Sequence, residues 1–144
     1  MHPLRKLREA GVTDPKQFAA ILAPNVVMHS PVLIRAIHGR DVVANTLALS
    51  TSSRDDPGKY LFEGKFDDRT TLLHWEGTVE GHTIQSLEML VDDENGLLVD
   101  RTVAYRPFPA LRLFRRRLYE GNHGKIPDDY WEFPVEDGSI KITF

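Results

Sequence analysis

The chain has 144 residues, which is the size of one globular domain. Its 18 basic and 21 acidic side chains give a net charge of −3, too small to indicate nucleic-acid binding. Because the chain contains no cysteine, disulfides, catalytic thiolates and cysteine-ligated metal centres are excluded. No apolar run approaches the ~20 residues that cross a bilayer, and the basic N-terminus is not followed by a signal-like apolar segment. We therefore expect a cytoplasmic protein with no nucleic-acid or membrane partner.

Helical signals dominate the first 50 residues. The run Thr13-Asp14-Pro15 offers a capping side chain and a proline at the first helical position, which predicts a helix that ends at Pro24. Residues 25–29 are rich in β-branched side chains and predict a short strand. Gly39 precedes a second predicted helix, from residue 40 to about residue 50. The sequence therefore predicts a helix on each side of a short strand in this region, before the hydrophobic pattern changes.

Between residues 59 and 106 the hydrophobic period changes to two, which predicts an antiparallel meander. Turn signals separate its strands at Asp67-Asp68, at Glu80-Gly81 and from Asp93 to Gly96. The predicted strands cover residues 59–66, 70–79, 82–92 and 97–106.

Helical spacing returns over residues 107–119. Residues 121–144 contain glycine, proline and scattered aromatic side chains, and they predict an extended tail with one further strand at residues 140–144. We therefore divide the chain into one domain over residues 1–120 and a C-terminal extension over residues 121–144. The extension is expected to pack on the same domain or on a neighbouring subunit.

Turn geometry predicts which strand side chains share a face, because successive residues alternate between faces. Counting from the Glu80-Gly81 turn places Trp75 opposite Ser86. Counting from the next turn places Glu88 opposite Arg101. The face with the large aromatic side chains and this Glu–Arg pair is predicted to be the concave side beneath the helices. Its members are Tyr60, Phe62, Leu73, Trp75, Ile84, Ser86, Glu88, Leu90, Val99, Arg101, Val103 and Tyr105.

The opposite face of the meander is also partly apolar. A sheet with apolar side chains on both faces needs cover on both. We therefore predict a homodimer that buries this outer face. The apolar residues assigned to it are Leu61, Leu72, Leu87, Met89 and Leu98.

Three segments carry a family likeness: a helix running into a strand before a proline (18–32), a glycine that starts a helix (37–47), and a hairpin followed by Arg-Pro and a helix (92–114). Together they resemble the nuclear transport factor 2-like superfamily, which includes ketosteroid isomerase and the SnoaL-like polyketide cyclases. The resemblance implies a cone-shaped, cystatin-like α+β fold, with N-terminal helices covering a curved, mostly antiparallel sheet. The third segment resembles a subgroup without a settled activity.

The chain departs from the isomerase pattern at two of three catalytic positions. The catalytic carboxylate of that pattern precedes the proline of the first strand, where this chain has His29 and Ser30. The tyrosine of the first helix has no counterpart, since Tyr60 is the first tyrosine of the chain. The second oxyanion donor, a carboxylic acid on the penultimate strand, matches Glu88. Steroid isomerisation by that mechanism is therefore not expected.

Glu88, Arg101 and His29 are the candidate catalytic residues. Glu88 and Arg101 can orient a ligand's carboxylate, carbonyl or hydroxyl group, or exchange protons with it, but they can equally form a structural ion pair between strands. His29 has an unperturbed pKa near neutrality and is a second titrating group if its side chain points inward. The pocket walls are assigned to Tyr60, Phe62, Trp75, Ser86, Val103 and Tyr105.

These observations favour a SnoaL-like protein that binds a small, partly apolar ligand. If the protein is an enzyme, the resemblance implies cofactor-independent acid–base chemistry, such as isomerisation, cyclisation, dehydration or epoxide hydrolysis. The alternative is a non-catalytic dimeric interaction or scaffold domain whose cone is filled by its own side chains. The six histidines show no metal-binding spacing, so neither a metal nor a cofactor is expected.

Overall fold

The computed structural model of the protein describes residues 1–131, which form an α+β fold. The helices within this range are α1 (Pro3–Glu9), α2 (Pro15–Ala19), α3 (Arg40–Ser52) and α4 (Phe108–Asn122), with a short 3-10 turn at Asp128–Tyr130. The strands are β1 (Leu22–His29), β2 (Ile37–His38), β3 (Lys59–Lys65), β4 (Thr70–Val79), β5 (His82–Asp92) and β6 (Leu98–Arg106). They form one curved, unclosed sheet in the order β2-β1-β6-β5-β4-β3, antiparallel except where β1 pairs with β6.

The N-terminal region differs from the sequence prediction in two places. Helix α1 was not predicted individually; it begins at a proline, and the His2 ring accepts a hydrogen bond from the Leu4 amide at 3.1 Å. Helix α2 begins after Asp14 as predicted, but the chain enters β1 at Leu22 instead of remaining helical to Pro24. Pro24 is tolerated in β1 because it lies in an irregular, exposed part of the pairing with β6, where no ladder N–H is required.

The predicted meander is present in β3 to β6. Glu80 and Gly81 have φ values of 49° and 77°, as a two-residue hairpin turn requires, and Val79 pairs with His82. The predicted pairing of Trp75 with Ser86 follows from this turn and is confirmed.

The register between β5 and β6 differs by two residues from the prediction. Glu88 lies opposite Val103 rather than Arg101. Because a shift of two residues conserves the face, Glu88 and Arg101 still point to the same side of the sheet. An irregularity at the start of β6 changes the alternation there, so Leu98, not Val99, enters the core. The assignments of these two residues were therefore wrong.

A bulge in β3 changes a predicted wall residue. Tyr60 lies opposite Trp75 as predicted, but the register then shifts and Phe62 lies opposite His74. One extra residue reverses the alternation of side chains, and Phe62 is consequently 56% exposed. The assignment of Phe62 to the concave face was wrong.

The concave side of the sheet is covered by two connected apolar clusters. One cluster joins α1, α2 and α3 to β1 and the middle of the sheet, and the other joins α4 to Trp75 and the turn end of the β4–β5 hairpin. On the convex side several apolar side chains are exposed, as the sequence predicts for the outer face. They are Leu61, Leu72, Leu87 and Met89.

Helix α4 is longer than predicted and ends at Asn122. Beyond it, the Trp131 ring is 8% exposed and packs edge-on against Tyr119 with a centroid separation of 5.2 Å. The predicted strand at residues 140–144 lies outside the described residues. The division of the chain at residue 120 stays a prediction.

Two glycines with similar backbones test how Trp75 is held in place. At Gly58 (φ +66°) an added Cβ would lie 2.4 Å from the Glu76 carbonyl oxygen and 2.7 Å from the Trp75 ring, whereas at Gly96 (φ +78°) it would meet open space. Both alanine substitutions incur the left-handed backbone penalty, but only Gly58→Ala adds overpacking. We expect Gly58→Ala to lower the free energy of unfolding by about 1–3 kcal/mol more than Gly96→Ala. Urea unfolding measures both, and equal losses would contradict this packing role.

Candidate functional site

The interior of the cone contains a group of buried charges. Arg8 on α1, Arg54 after α3, Glu88 on β5 and Arg101 on β6 are each less than 10% exposed. All three guanidinium groups act electrostatically on the Glu88 carboxylate, so the four side chains form one cluster. Four separate parts of the chain therefore meet at this point, which we call the arginine cluster.

Glu88 and Arg101 are joined directly. The Arg101 Nη2 donates a hydrogen bond to the Glu88 Oε1, and the Arg101 Nη1 lies 3.3 Å from the Met28 sulfur. The second carboxylate oxygen of Glu88 and the Nε of Arg101 are buried and have no partner in the part of the chain that the structure describes. The ion pair therefore leaves one acceptor and one donor available.

Arg8 reaches the interior because α1 is anchored to the rim of the sheet. The N-terminal amine lies 3.7 Å from the Glu63 carboxylate, and the His2 ring lies 3.0 Å from the Asp92 carboxylate. The Arg8 Nη2 then donates to the Ser50 hydroxyl of α3 at 2.8 Å. Its Nε and Nη1 are buried without a partner among residues 1–131.

Arg54 is held by two aromatic side chains. Its guanidinium carbon lies 3.7 Å from the centroid of the Trp75 ring, a cation–π arrangement, and its Nη2 donates to the Tyr105 hydroxyl at 3.2 Å. Trp75 is fixed in turn by a hydrogen bond from its indole N–H to the Pro57 carbonyl at 2.8 Å. Two of the four aromatic residues predicted as pocket walls, Trp75 and Tyr105, thus position a cation.

The cluster carries more positive than negative charge, since three guanidinium groups surround one carboxylate. Burial alone would raise the pKa of Glu88, but Arg101, Arg8 and Arg54 outweigh it and hold that pKa below its usual range. Burial, reinforced by the nearby positive charges of Arg54 and Arg101, lowers the pKa of Arg8 to about 10. Glu88 is therefore ionised at neutral pH.

The two interior tyrosines differ in acidity. Burial, followed by the Glu88 carboxylate, raises the pKa of Tyr60 to about 12. Burial also acts to raise the pKa of Tyr105, but the positive charges of Arg54, Arg8 and Arg101 outweigh it and lower that pKa. The Tyr105 hydroxyl therefore lies where negative charge is favoured.

A small cavity of about 20 Å³ adjoins the cluster, which is room for roughly one water molecule. The polar residues that line it are Arg101, Tyr105, Ser50, Thr46 and Ser30. The apolar lining consists of Met28, Leu47, Val103, Phe114 and Leu118.

Most of the predicted site residues are found around the cluster. Five of the six predicted wall residues lie on the concave face with Glu88 and Arg101; they are Tyr60, Trp75, Ser86, Val103 and Tyr105. Whether any of them binds a ligand or takes part in catalysis stays a prediction.

His29 lies away from the cluster. Its side chain is 47% exposed, and its Nε2 lies 3.3 Å from the Asp100 carboxylate on the neighbouring strand. The inward position in β1 belongs to Met28, because adjacent strand residues face opposite sides. An inward position for His29 was therefore wrong.

Sequence reasoning missed Arg8 and Arg54. Arg8 follows the buried Leu4 by four positions, so both lie on one face of α1, and this spacing was a usable signal. Arg54 lies in the polar segment after α3, where no periodicity marks an inward side chain. An arginine in such a segment is usually exposed, and nothing in the sequence distinguishes this one.

Within residues 1–131 no cluster of three or more histidine, aspartate or glutamate side chains has the arrangement of a metal site. In the same range no helix combines the length and apolar character needed to span a membrane.

Comparison of the fold with solved structures gives consistent neighbours. The chain is similar to an uncharacterised protein with a cystatin-like fold from Silicibacter pomeroyi DSS-3 (TM-score 0.75, 22% identity, covering 83% of this chain and 85% of that chain). A steroid delta-isomerase from Pseudomonas aeruginosa is similar to the same degree (TM-score 0.75, 21% identity, 83% and 86% covered). An NTF2-like protein of unknown function from Cytophaga hutchinsonii ATCC 33406 follows (TM-score 0.56, 14% identity, 75% and 88% covered).

No protein-family profile and no curated protein sequence matches the chain. At these identities the structural likeness defines the fold alone. The protein has the nuclear transport factor 2-like, cystatin-like α+β fold that the sequence predicts.

Glu88 provides a test of the electrostatics. Replacing it with glutamine leaves three buried guanidinium groups without a carboxylate, so we expect Glu88→Gln to lose roughly 3–5 kcal/mol of unfolding free energy at pH 7. Because folding lowers the pKa of Glu88, its contribution is complete above the unfolded-state value of about 4.3 and is lost as pH falls toward the folded-state pKa.

The difference between wild type and Glu88→Gln should therefore shrink below about pH 4.3 in urea-unfolding measurements. Glu94→Gln, in the exposed turn between β5 and β6, removes one carboxylate outside the cluster and serves as the matched control. A difference for Glu88→Gln that stays constant from pH 7 to pH 3 would contradict an ionised, stabilising carboxylate.

Proposed function

We propose that the protein binds a small, partly apolar molecule in the cone, in the manner of SnoaL-like proteins. The observation that carries the proposal is the cavity beside Arg101, whose lining combines charged and hydroxyl groups with apolar side chains. Binding sites for small molecules combine an apolar surface with a few polar groups that orient the ligand. Glu88 and Arg101 would be the orienting pair, as the sequence suggests.

The small size of the cavity limits the ligand. A volume of about 20 Å³ accepts only a group of one or two heavy atoms, whereas drug-sized ligands need roughly 300 Å³ or more. A larger ligand must displace side chains of the apolar lining, chiefly Phe114 and Leu118 on α4. The polar head of the ligand would then occupy the existing cavity.

If the protein is an enzyme, the ionisation states favour a particular division of roles. Glu88 is a carboxylate at neutral pH and can accept a proton or a hydrogen bond. Tyr105, with its lowered pKa and its link to Arg54, can donate a proton or stabilise negative charge. This pair suits cofactor-independent acid–base reactions such as isomerisation, cyclisation, dehydration or epoxide hydrolysis.

The second candidate function is a dimeric scaffold domain with a filled cone. Two observations favour it: the cavity beside Arg101 has room for roughly one water molecule, and apolar residues are exposed on the outer face of the sheet. Both candidates include the homodimer through this face as a proposal. They differ in whether the interior responds to a ligand.

Filling the cavity tests the pocket. Wild-type protein should gain thermal stability with members of a panel of small acids, alcohols, ketones and amides of up to eight heavy atoms. Val103→Phe places a ring in the cavity and should abolish that response, while overpacking costs about 1–3 kcal/mol. Val99→Phe, on the same strand but outside the cavity, is the matched control and should retain the response. No response of the wild type to any compound would favour the scaffold.

A charge on the outer face tests the dimer. Leu87 is 63% exposed at the centre of this face, and Leu87→Asp should dissociate a dimer that buries it, because an unpaired carboxylate in an apolar interface is costly. Phe108→Asp changes an equally exposed apolar residue at the start of α4 and should leave the dimer intact. Sedimentation velocity gives the oligomeric state, and a monomeric wild type would rule out the proposed assembly.

A further inference from the structure

The buried charges of the arginine cluster do not balance. Arg8, Arg54 and Arg101 contribute three positive charges against the single carboxylate of Glu88, which leaves a net charge of +2 in the interior. Among residues 1–131, Glu88 is also the only carboxylate classed with the buried side chains. Buried charges in proteins are normally paired, because an ion without a partner loses its hydration without compensation. The cluster therefore lacks negative charge.

Each arginine of the cluster also has at least one unpaired hydrogen-bond donor. The Nε and Nη1 of Arg8, the Nε of Arg54 and the Nε of Arg101 are buried and have no partner within the described residues. Guanidinium groups only donate hydrogen bonds, and the cluster has a single unpaired carboxylate oxygen, the Oε2 of Glu88, so these four donors are in excess. A charge deficit and a set of unused donors point to the same kind of ligand.

The cavity connects to all three arginines. Arg101 lines it directly, Ser50 joins it to Arg8, and Tyr105 joins it to Arg54 through their hydrogen bonds. A cation is excluded there by the net positive charge. A neutral polar group would accept hydrogen bonds but would leave the charge uncompensated.

We propose that this cavity binds a small monoanion, either the carboxylate of an organic acid or an inorganic ion of similar size. The inference rests on the proposed pocket function and specifies its ligand class. The anionic group lies beside Arg101, Ser50 and Tyr105; a monatomic ion fits the cavity as it stands, whereas a carboxylate, with three heavy atoms, also requires lining side chains to move aside. In an organic acid, the short apolar part lies toward Phe114 and Leu118 on α4. Bound there, the anion reduces the surplus charge of the cluster from +2 to +1.

Comparing anions with neutral analogues of the same shape distinguishes binding that depends on the ligand's charge from binding that depends on its shape. We would measure the melting temperature in a dilute zwitterionic buffer against rising concentrations of sodium acetate, sodium butyrate and sodium chloride at matched ionic strength. Acetamide and butyramide are the neutral counterparts. A ligand that binds only the folded protein raises the melting temperature with concentration and yields a Kd. We expect saturable stabilisation by at least one anion and none by the amides.

Substitution of Arg8 distinguishes a binding role from a structural one. Arg8→Met removes one buried positive charge while keeping an unbranched side chain that fills the space. We expect it to raise the Kd for the anion at least about tenfold and to leave the anion-free melting temperature unchanged or higher. Arg5→Met, on the same helix but paired with Glu9 and Glu63, should leave the Kd unchanged. If Arg8→Met does not fold, Arg54→Met carries the same expectation.

Each outcome bears on the inference. Stabilisation by the carboxylates alone supports an organic acid, and stabilisation by chloride as well supports an inorganic anion. If the amides stabilise the protein as strongly as the anions, the pocket function stands and the inference of an anionic ligand fails. If none of these compounds has a saturable effect, the inference of an anionic ligand fails, and the wider panel of small molecules decides the pocket function. An anion response that survives Arg8→Met with an unchanged Kd overturns the role of the arginine cluster.

Discussion

The ion pair between Glu88 and Arg101 is the interaction around which the interior is arranged. Moving a charge from water into a protein interior costs several kcal/mol, and a partner recovers this only when its hydrogen bonds are good. Here the carboxylate is shared by three guanidinium groups from α1, the segment after α3 and β6. The elements that carry these arginines are thus coupled to one another through a single acidic side chain.

The electrostatic coupling of Glu88 to three arginines distinguishes this protein from the catalytic pattern of the isomerases. In that pattern the carboxylic acid on the penultimate strand is protonated and donates a hydrogen bond to the developing oxyanion. Glu88 occupies the matching strand, but the surrounding arginines lower its pKa and keep it ionised. A carboxylate only accepts hydrogen bonds, so the one catalytic position that the sequence retains has the opposite hydrogen-bonding character. An ionised Glu88 therefore cannot donate the hydrogen bond that the isomerase pattern requires at this position.

The strands and their faces could be predicted because period-two alternation and turn chemistry are local signals. The prediction that Glu88 and Arg101 share a face was correct despite a register error of two residues, since side chains along a strand alternate with a period of two. Phe62 was misplaced by a single bulge, which reverses the alternation without any mark in the sequence. Arg8 could have been inferred from its spacing to Leu4 on α1, whereas Arg54 could not be predicted, because its burial depends on how the segment after α3 closes over the sheet.

Tyr105 lies between the arginine cluster and the apolar side chains of α4, where the ligand is proposed to bind. Its hydroxyl accepts a hydrogen bond from Arg54, while its ring packs against Phe114 with a centroid separation of 5.3 Å. The polar lining residues Arg101, Tyr105 and Ser50 are fixed by charge-assisted hydrogen bonds between separate elements, whereas the lining residues on α4 are held by apolar contacts. Apolar contacts are non-directional and tolerate a sliding of side chains that hydrogen bonds between charged groups do not. A ligand larger than the cavity would therefore enter by displacing α4 side chains, with the arginine cluster remaining in place to receive its polar group.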